Sequence, residues 1–247
     1  MADSKKPSHA GDLLDEALSE TFPASDPIAV GGDEQPERAA SPAGLTVALI
    51  GISGRVGSRI ADELLARGHR VNGIARDLKS VAERPGLALF RADATQAGAL
   101  MPLIPGHDAV ILAVRFADTD GPALIAALKA GAITRLLAVG GAGSLEVAPG
   151  RRVLDAPDFP ATFAPEARAA AAFLDELRHE PRLDWTMLSP SAELVPGERT
   201  GAFRLGGDQL LVDRHGRSWI TMEDFAAALV DELERPRHHR ARFTVGY

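Results

Sequence analysis

The stretch LTVALIGISGRVGS, Leu45 to Ser58, constrains the fold more than any other part of the chain. Leu45 to Ile50 is a short apolar, partly β-branched run bounded by turn residues, which suits a strand buried on both faces. Gly51, Gly54 and Gly57 follow at once. Then comes RIADELLARG, in which Ile60, Leu64 and Leu65 fall on one helical face before Gly68 stops the turn. In a strand–loop–helix context Gly51 permits the tight turn, Gly54 lets the backbone approach a diphosphate, and Gly57 lets helix and strand pack closely. The bare amides and positive dipole end of the helix then face the phosphates, with Ser53, Arg55 and Val56 counted among the binding residues. The spacing is G-x-x-G-x-x-G, not the commoner G-x-G-x-x-G, and a glycine-rich turn in a plain α/β domain is the bland alternative.

From Leu45 onward apolar strands alternate with helices, the pattern of a parallel sheet covered on both faces. Strands are expected at Leu45 to Ile50, Arg70 to Ala75, Leu87 to Arg91, Ala109 to Val114, Arg135 to Val139 and Asp184 to Leu188. Helices are expected at Gly121 to Gly131 and Pro165 to Arg178, the latter with Ala169, Phe173, Leu174 and Leu177 at helical spacing. Six such strands joined by right-handed crossovers make a doubly wound α/β fold. Past Ser189 the segment SPSAELVPGERTGAFRLGGDQLLVD is too irregular for another crossover unit; it reads as a substrate-side loop, 189–221, with a small hairpin. A helix Met222 to Glu234, capped by Asp224 or Thr221, and a closing strand ARFTVGY complete a single domain, 44–247.

Charge separates this body from what precedes it. Residues 1–43 hold nine acids against Lys5, Lys6 and Arg38, a net of −6, leaving the remainder at −1 of the chain's −7. With Pro7, Pro23, Pro27, Pro36 and Pro42 and no strand-like run, the leader is expected to be disordered. Leu13, Leu14, Leu18 and Phe22 could form one side of a short helix that docks on the body or on a protein partner; the alternative is a solvated tail. The formal charge of −7, unevenly placed as it is, argues against non-specific nucleic-acid binding. There is no cysteine, which removes disulfides, iron–sulfur clusters, thiolate zinc sites and cysteine nucleophiles. No signal-like run and no stretch approaching about 18 apolar residues is present, so the expectation is a cytoplasmic protein without a membrane span or metal.

Ligands of such sheets sit at the carboxyl ends of the strands, and those ends supply the remaining candidates. The second strand ends in Arg76-Asp77-Leu78-Lys79. Arg76, with Lys79 and Arg55 nearby, suits the 2′-phosphate of NADP because a guanidinium pairs with it in a forked geometry. Asp77 keeps NAD open, since a carboxylate could take the ribose hydroxyls instead. Asp93 and Ala94 follow the third strand, where an acid could meet the adenine or simply cap a turn. Ala113 and Val114 close the fourth strand and are small enough to lie against the cofactor. After the fifth, Gly140 and Gly141 allow a flat ring to approach and Ser144 offers a hydroxyl, making it the candidate catalytic residue. Ser189, Pro190, Glu193 and Arg199 are the substrate-side candidates, with Arg199 set either to bind an anionic group or to pair with a neighbouring acid. Trp185 reads as core, His238-His239 as a solvated turn, and His107-Asp108 as a turn.

The motifs GISGRVG, VGGAGSLEVAPG, LDWTMLSPSAELVPGERTG, SWITMEDFAAALVDELE and RFTVGY together resemble the atypical short-chain dehydrogenase/reductase branch that includes biliverdin reductase B and NADH-flavin reductase-like proteins. The resemblance covers about residues 44–247 and implies a Rossmann fold and a nicotinamide cofactor. One departure bears on chemistry. Many short-chain reductases use a tyrosine, supported by a lysine four residues later, as proton donor; the corresponding region here is Phe163-Ala164-Pro165-Glu166-Ala167, and the chain's single tyrosine is Tyr247. Ketone reduction needs that proton. Flavin reduction does not, because N5 accepts the hydride and water can deliver the rest. The expectation is therefore an NAD(P)H-dependent reductase with a flavin or similar planar small-molecule acceptor. The alternative is an NAD(P)-binding sensor without turnover, and an epimerase is a poorer third.

Overall fold

The computed structural model describes residues 44–247; the leader, and with it the expectation of either a short docking helix or a solvated tail, lies outside the described residues. The main sheet has eight strands. They are β1 (Thr46–Ile50), β2 (Arg70–Ala75), β3 (Leu87–Arg91), β4 (Ala109–Leu112), β5 (Arg135–Val139), β8 (Asp184–Pro190), β10 (Arg204–Gly206) and β12 (Ala241–Gly246). Their order is β10-β12-β8-β5-β4-β1-β2-β3. Every neighbouring pair is parallel except β10 with β12. Travelling along the chain, β1 to β3 wind one way from the centre and β4, β5, β8 and β12 wind the other. The reversal between β1 and β4 opens a crevice at their carboxyl ends. This is the doubly wound, Rossmann-like α/β architecture expected from the alternation of strands and helices.

Two cores explain why the strands read as unbroken apolar runs. Val47 and Leu49 of β1 face helices α1 (Arg55–Ala66) and α5 (Met222–Glu234), alongside Ile60, Leu64, Phe225 and Leu229. Ala48 and Ile50 face the other way, toward the short α2 (Ala97–Leu100), α3 (Gly121–Ala130) and α4 (Ala164–Arg178), through Leu100, Leu124, Phe173 and Leu177. Both faces being covered, a strand with no polar side is the stable solution. Each fully buried Leu, Ile or Phe contributes about 1.5–3 kcal/mol. Trp185 lies in the second core at 2% exposure.

The region after Ser189 departs from expectation. β8 runs on to Pro190, and the following segment makes no hairpin. Instead β9 (Glu193–Val195) pairs in parallel with β11 (Trp219–Thr221), while β10 adds antiparallel to the terminal β12. A small antiparallel pair, β6 (Glu146–Ala148) with β7 (Arg151–Arg152), also forms where no strand was expected. These are pairings between distant or two- to three-residue segments, too short to carry a period-two pattern. Asp224 is not the cap of α5: the Thr221 side chain accepts from the Asp224 amide at 3.1 Å.

Candidate functional site

The glycine loop has the geometry of a phosphate cradle. Gly51 sits at φ +97°, where an added Cβ would lie 2.2 Å from the Ala113 carbonyl oxygen. At Gly57 a Cβ would lie 2.1 Å from the Gly51 carbonyl oxygen, so α1 can approach β1 only without a side chain there. Gly54 is different in kind. It is exposed, its backbone is extended at φ −75° and ψ 162°, and it stands as N-cap of α1 with no side-chain cap and no acid in the first turn. α3 and α5, by contrast, carry caps from Asp120 and Thr221. The first amides of α1 are therefore left for an outside anion.

A cleft of about 300 Å³ opens beside this loop along the ends of β1 to β4. Among the residues expected at the site, Gly51, Ser53, Gly54, Arg76, Asp93, Ala94, Ala113 and Val114 line it. Asp77 lines it too, but its Oδ1 accepts from the Lys79 amide at 3.0 Å and so is partly spent on its own turn. Asp93 likewise accepts from the Thr95 amide; chiefly that bond, with further help from the Thr95 side chain and Arg76, holds its carboxyl below the ordinary range against an opposing desolvation. Residues not foreseen at the cleft are Ile50, Ile74, Ala75, Ala92, Thr95, Arg115, Asp118 and Thr119. Ile50, Ile74, Ala75 and Ala92 are small or apolar residues at strand ends, which sequence offers no way to tell from core. A second depression, lined by Glu83, Arg84, Pro85, Leu87 and Leu89, lies at the amino end of β3, the wrong end of the sheet for a ligand.

The other expected residues stand outside that cleft. Arg55, Val56 and Gly57 form the first turn of α1, and Lys79 is exposed on the loop beyond β2. Gly140 and Gly141 lie at the end of β5, Gly140 directly over the Ser189 hydroxyl, which a Cβ there would meet at 3.0 Å. Ser144 and Ser189 both turn their Oγ toward the buried Arg242, each 3.4 Å from its Nη1, and the Arg242 guanidinium is itself paired with Asp208. Pro190 is buried. Glu193 pairs with Arg217 at 2.6 Å. Arg199 makes a bidentate pair with Glu63 of α1, at 2.7 and 2.8 Å, so of its two readings the structure gives the ion pair. His238 is no solvated turn: it is half-buried, bonds Glu232 at 2.8 Å and stacks on Phe243.

Glu166, noted from sequence only for standing in the region of a missing tyrosine, has a specific place. Its Oε1 accepts from the Phe116 amide at 2.9 Å and its Oε2 from the Ala117 amide at 3.0 Å. The single tyrosine is remote from that segment, its hydroxyl shared between Asp224 at 2.6 Å and Thr221 at 2.9 Å. Desolvation first, and then the Asp224 carboxylate, push the Tyr247 hydroxyl above its usual range.

A parallel sheet with its crevice at the β1–β4 reversal, a side-chain-free cradle and an uncapped helix beneath it define a dinucleotide-binding protein. Comparison with known proteins agrees. The model of a family described as NAD(P)H-binding matches residues 51–236, and the chain belongs to that family. The YwnB protein of Bacillus subtilis (strain 168), uncharacterized, is 39% identical over 211 residues, covering 81% of this chain and 98% of that one. A candidate epimerase from Bacteroides thetaiotaomicron superposes with a TM-score of 0.78 at 40% identity, covering 82% of this chain and 97% of its own. A candidate NADH-flavin reductase from Streptococcus pneumoniae TIGR4 gives 0.72 at 36% identity, over 82% and 99%. The likeness to the atypical short-chain reductases drawn from the motifs therefore holds. Among the described residues no helix is long and apolar enough to cross a membrane, and no group of three or more His, Asp or Glu side chains could hold a metal.

Proposed function

We propose that the chain is an NADPH-preferring reductase whose acceptor is a flavin or a similar planar molecule. The observation that carries this reading is the cleft itself, with Arg76 exposed at its wall and no residue placed as a tyrosyl acid. The residues fit the cofactor: the Gly51 and Gly57 positions are ones a Cβ would fill, and while the Gly54 amide is turned onto the Gly51 carbonyl at 3.0 Å, the first α1 amides, at Arg55 and Val56, are left without a helical acceptor. Gly54 and the start of α1 would hold the diphosphate. Arg76 would pair with a 2′-phosphate, while Asp77 beside it has one carboxylate oxygen taken by the Lys79 amide. When bound, the reduced nicotinamide supplies a hydride. The chain's part is to bind and orient the two rings, and the acceptor's proton comes from solvent. The family's flavin reductase-like relative supports this acceptor class; the epimerase-like relative shows that likeness alone leaves the reaction open.

The test is cofactor oxidation by the purified full chain, with NADPH and NADH each offered FMN, riboflavin and a quinone. The expected result is turnover with at least one acceptor and a higher kcat/KM for NADPH. Tight NADPH binding with no oxidation by any acceptor would replace this reading with that of a sensor.

A further inference from the structure

The first turn of α4 bridges the turns that follow β4 and β5, the former of which borders the crevice. On one side Glu166 takes two consecutive amides, Phe116 and Ala117, of the turn that follows β4. On the other, Ala167 lies so close beneath Gly143 of the turn after β5 that a Cβ on Gly143 would sit 2.7 Å from its own. The Phe116 ring also stacks on Phe173, two turns along the same helix, with centroids 4.5 Å apart. The gripped turn is part of the cleft wall, through Arg115, Asp118 and Thr119. Arg115 is 73% exposed and lies 3.8 Å from Asp118 and 3.9 Å from Glu166, beyond hydrogen-bonding distance, so two carboxylates steer it without locking it.

We propose that Glu166 is a positioning residue for the cofactor cleft: by fixing the amides of the Phe116–Asp118 turn from α4, it sets the wall against which the nicotinamide nucleotide binds. Packing alone does not call for a charge there, since the side chain is 35% exposed. With both oxygens accepting from amides, Glu166 serves as an anchor and not as a replacement acid. The inference rests on the cofactor site of the proposed function and on no particular acceptor.

Glu166→Gln keeps the size but sets an NH2 group against one of two N–H donors. Equilibrium dialysis should show NADPH binding about tenfold weaker, the loss of roughly one charge-assisted hydrogen bond. KM for NADPH should rise in step, while kcat at saturating NADPH stays within about threefold. Glu166→Asp, which retains the charge, should recover part of the affinity. A Glu166→Gln protein that melts lower yet binds NADPH like the wild type would mark the residue as merely structural and overturn the proposal. Should the variant not fold, hydrogen exchange on the wild-type chain decides: NADPH must slow exchange in the peptide holding residues 116–117, and unchanged exchange there refutes it. A wild type that binds no NADPH at all is a separate outcome, against the cofactor reading itself.

Discussion

Gly54 and Gly57 belong to one motif but do different work, and two substitutions should separate them. At Gly57 a Cβ would lie 2.1 Å from the Gly51 carbonyl oxygen and 2.9 Å from its carbon, both backbone atoms that cannot swing aside. Gly57→Ala must therefore push α1 off β1. Overpacking of this kind costs about 2–3 kcal/mol, which outweighs the gain of up to about 1 kcal/mol from placing alanine in a helix. For a body of this size that lowers Tm by roughly 4–12 °C. At Gly54 the nearest atom to an added Cβ is the Gly51 oxygen at 3.2 Å, a tight contact that a small backbone shift relieves, and φ is −75°, so a side chain costs the fold far less here than at Gly57. The residue is exposed on the cleft, however, and the space a valine would take is the space a phosphate needs. Gly54→Val should shift Tm by only about 2–4 °C, yet weaken NADPH at least about 100-fold, or roughly 2.7 kcal/mol. Scanning calorimetry and equilibrium dialysis on the two variants give both numbers. Wild-type NADPH affinity in Gly54→Val, or an unchanged Tm in Gly57→Ala, would refute the division of labour.

Arg76→Ala should weaken NADPH about tenfold or more while changing NADH less than about twofold, since only the former carries the phosphate to which a guanidinium bonds; equal losses in paired titrations would remove Arg76 from the 2′-phosphate. Burial alone would raise the Glu63 carboxyl, but its bonds to Arg199 and Arg67 outweigh that and leave it lowered. A carboxyl lowered on folding stabilises above its unfolded value, here near 4.5, and loses that contribution as pH falls through the folded one. Arg199→Ala should therefore cost about 1 kcal/mol at neutral pH and flatten the decline in urea midpoint below pH 4.5; superimposable acid limbs for variant and wild type would contradict this. Thr221 caps α5, donates to the Glu198 carbonyl at 3.0 Å and meets Tyr247 at 2.9 Å. Thr221→Ala should cost about 1–2 kcal/mol in chemical denaturation, with Thr221→Ser restoring most of it.

What could be read from sequence follows from how local its cause is. β2, β3, β5 and α5 have the bounds expected of them, because apolar runs between turn formers and a 3.6-residue stripe are written within each segment. The glycine loop was legible for the same reason, although α1 starts at Arg55, earlier than its amphipathic stripe begins, since Gly57 carries no side chain to mark a face. The pairing of β9 with β11 was not legible. It joins Glu193 to Trp219 across a long loop, and no residue in either three-residue strand announces the other. Half of the cleft wall escaped notice on similar grounds: Ile74, Ala75 and Ala92 are ordinary strand-end residues until the fold brings them together. Arg199 illustrates the reverse case. Its charge was legible but its partner was not, because Glu63 is 136 residues away.

The same limits bear on which reaction the fold performs. Two relatives of about equal identity carry names for different reactions, epimerisation and flavin reduction, so the shared sheet and cradle cannot choose between them. The choice falls to proton handling. Epimerisation at carbon needs a group that removes a proton and one that returns it. The acids along the cleft are Asp77, Asp93 and Asp118. Asp77 and Asp93 are each committed to a turn amide, and the Thr95 amide lowers the Asp93 carboxyl from its ordinary range. Glu166 is spent on two more amides, and Tyr247 on Asp224 and Thr221. A cleft in which Asp77 and Asp93 already serve turn amides, and whose lining includes no tyrosine, favours an acceptor that takes hydride on one atom and its proton from water. That is why the absence of a tyrosyl acid weighs more for this chain than the name of either relative.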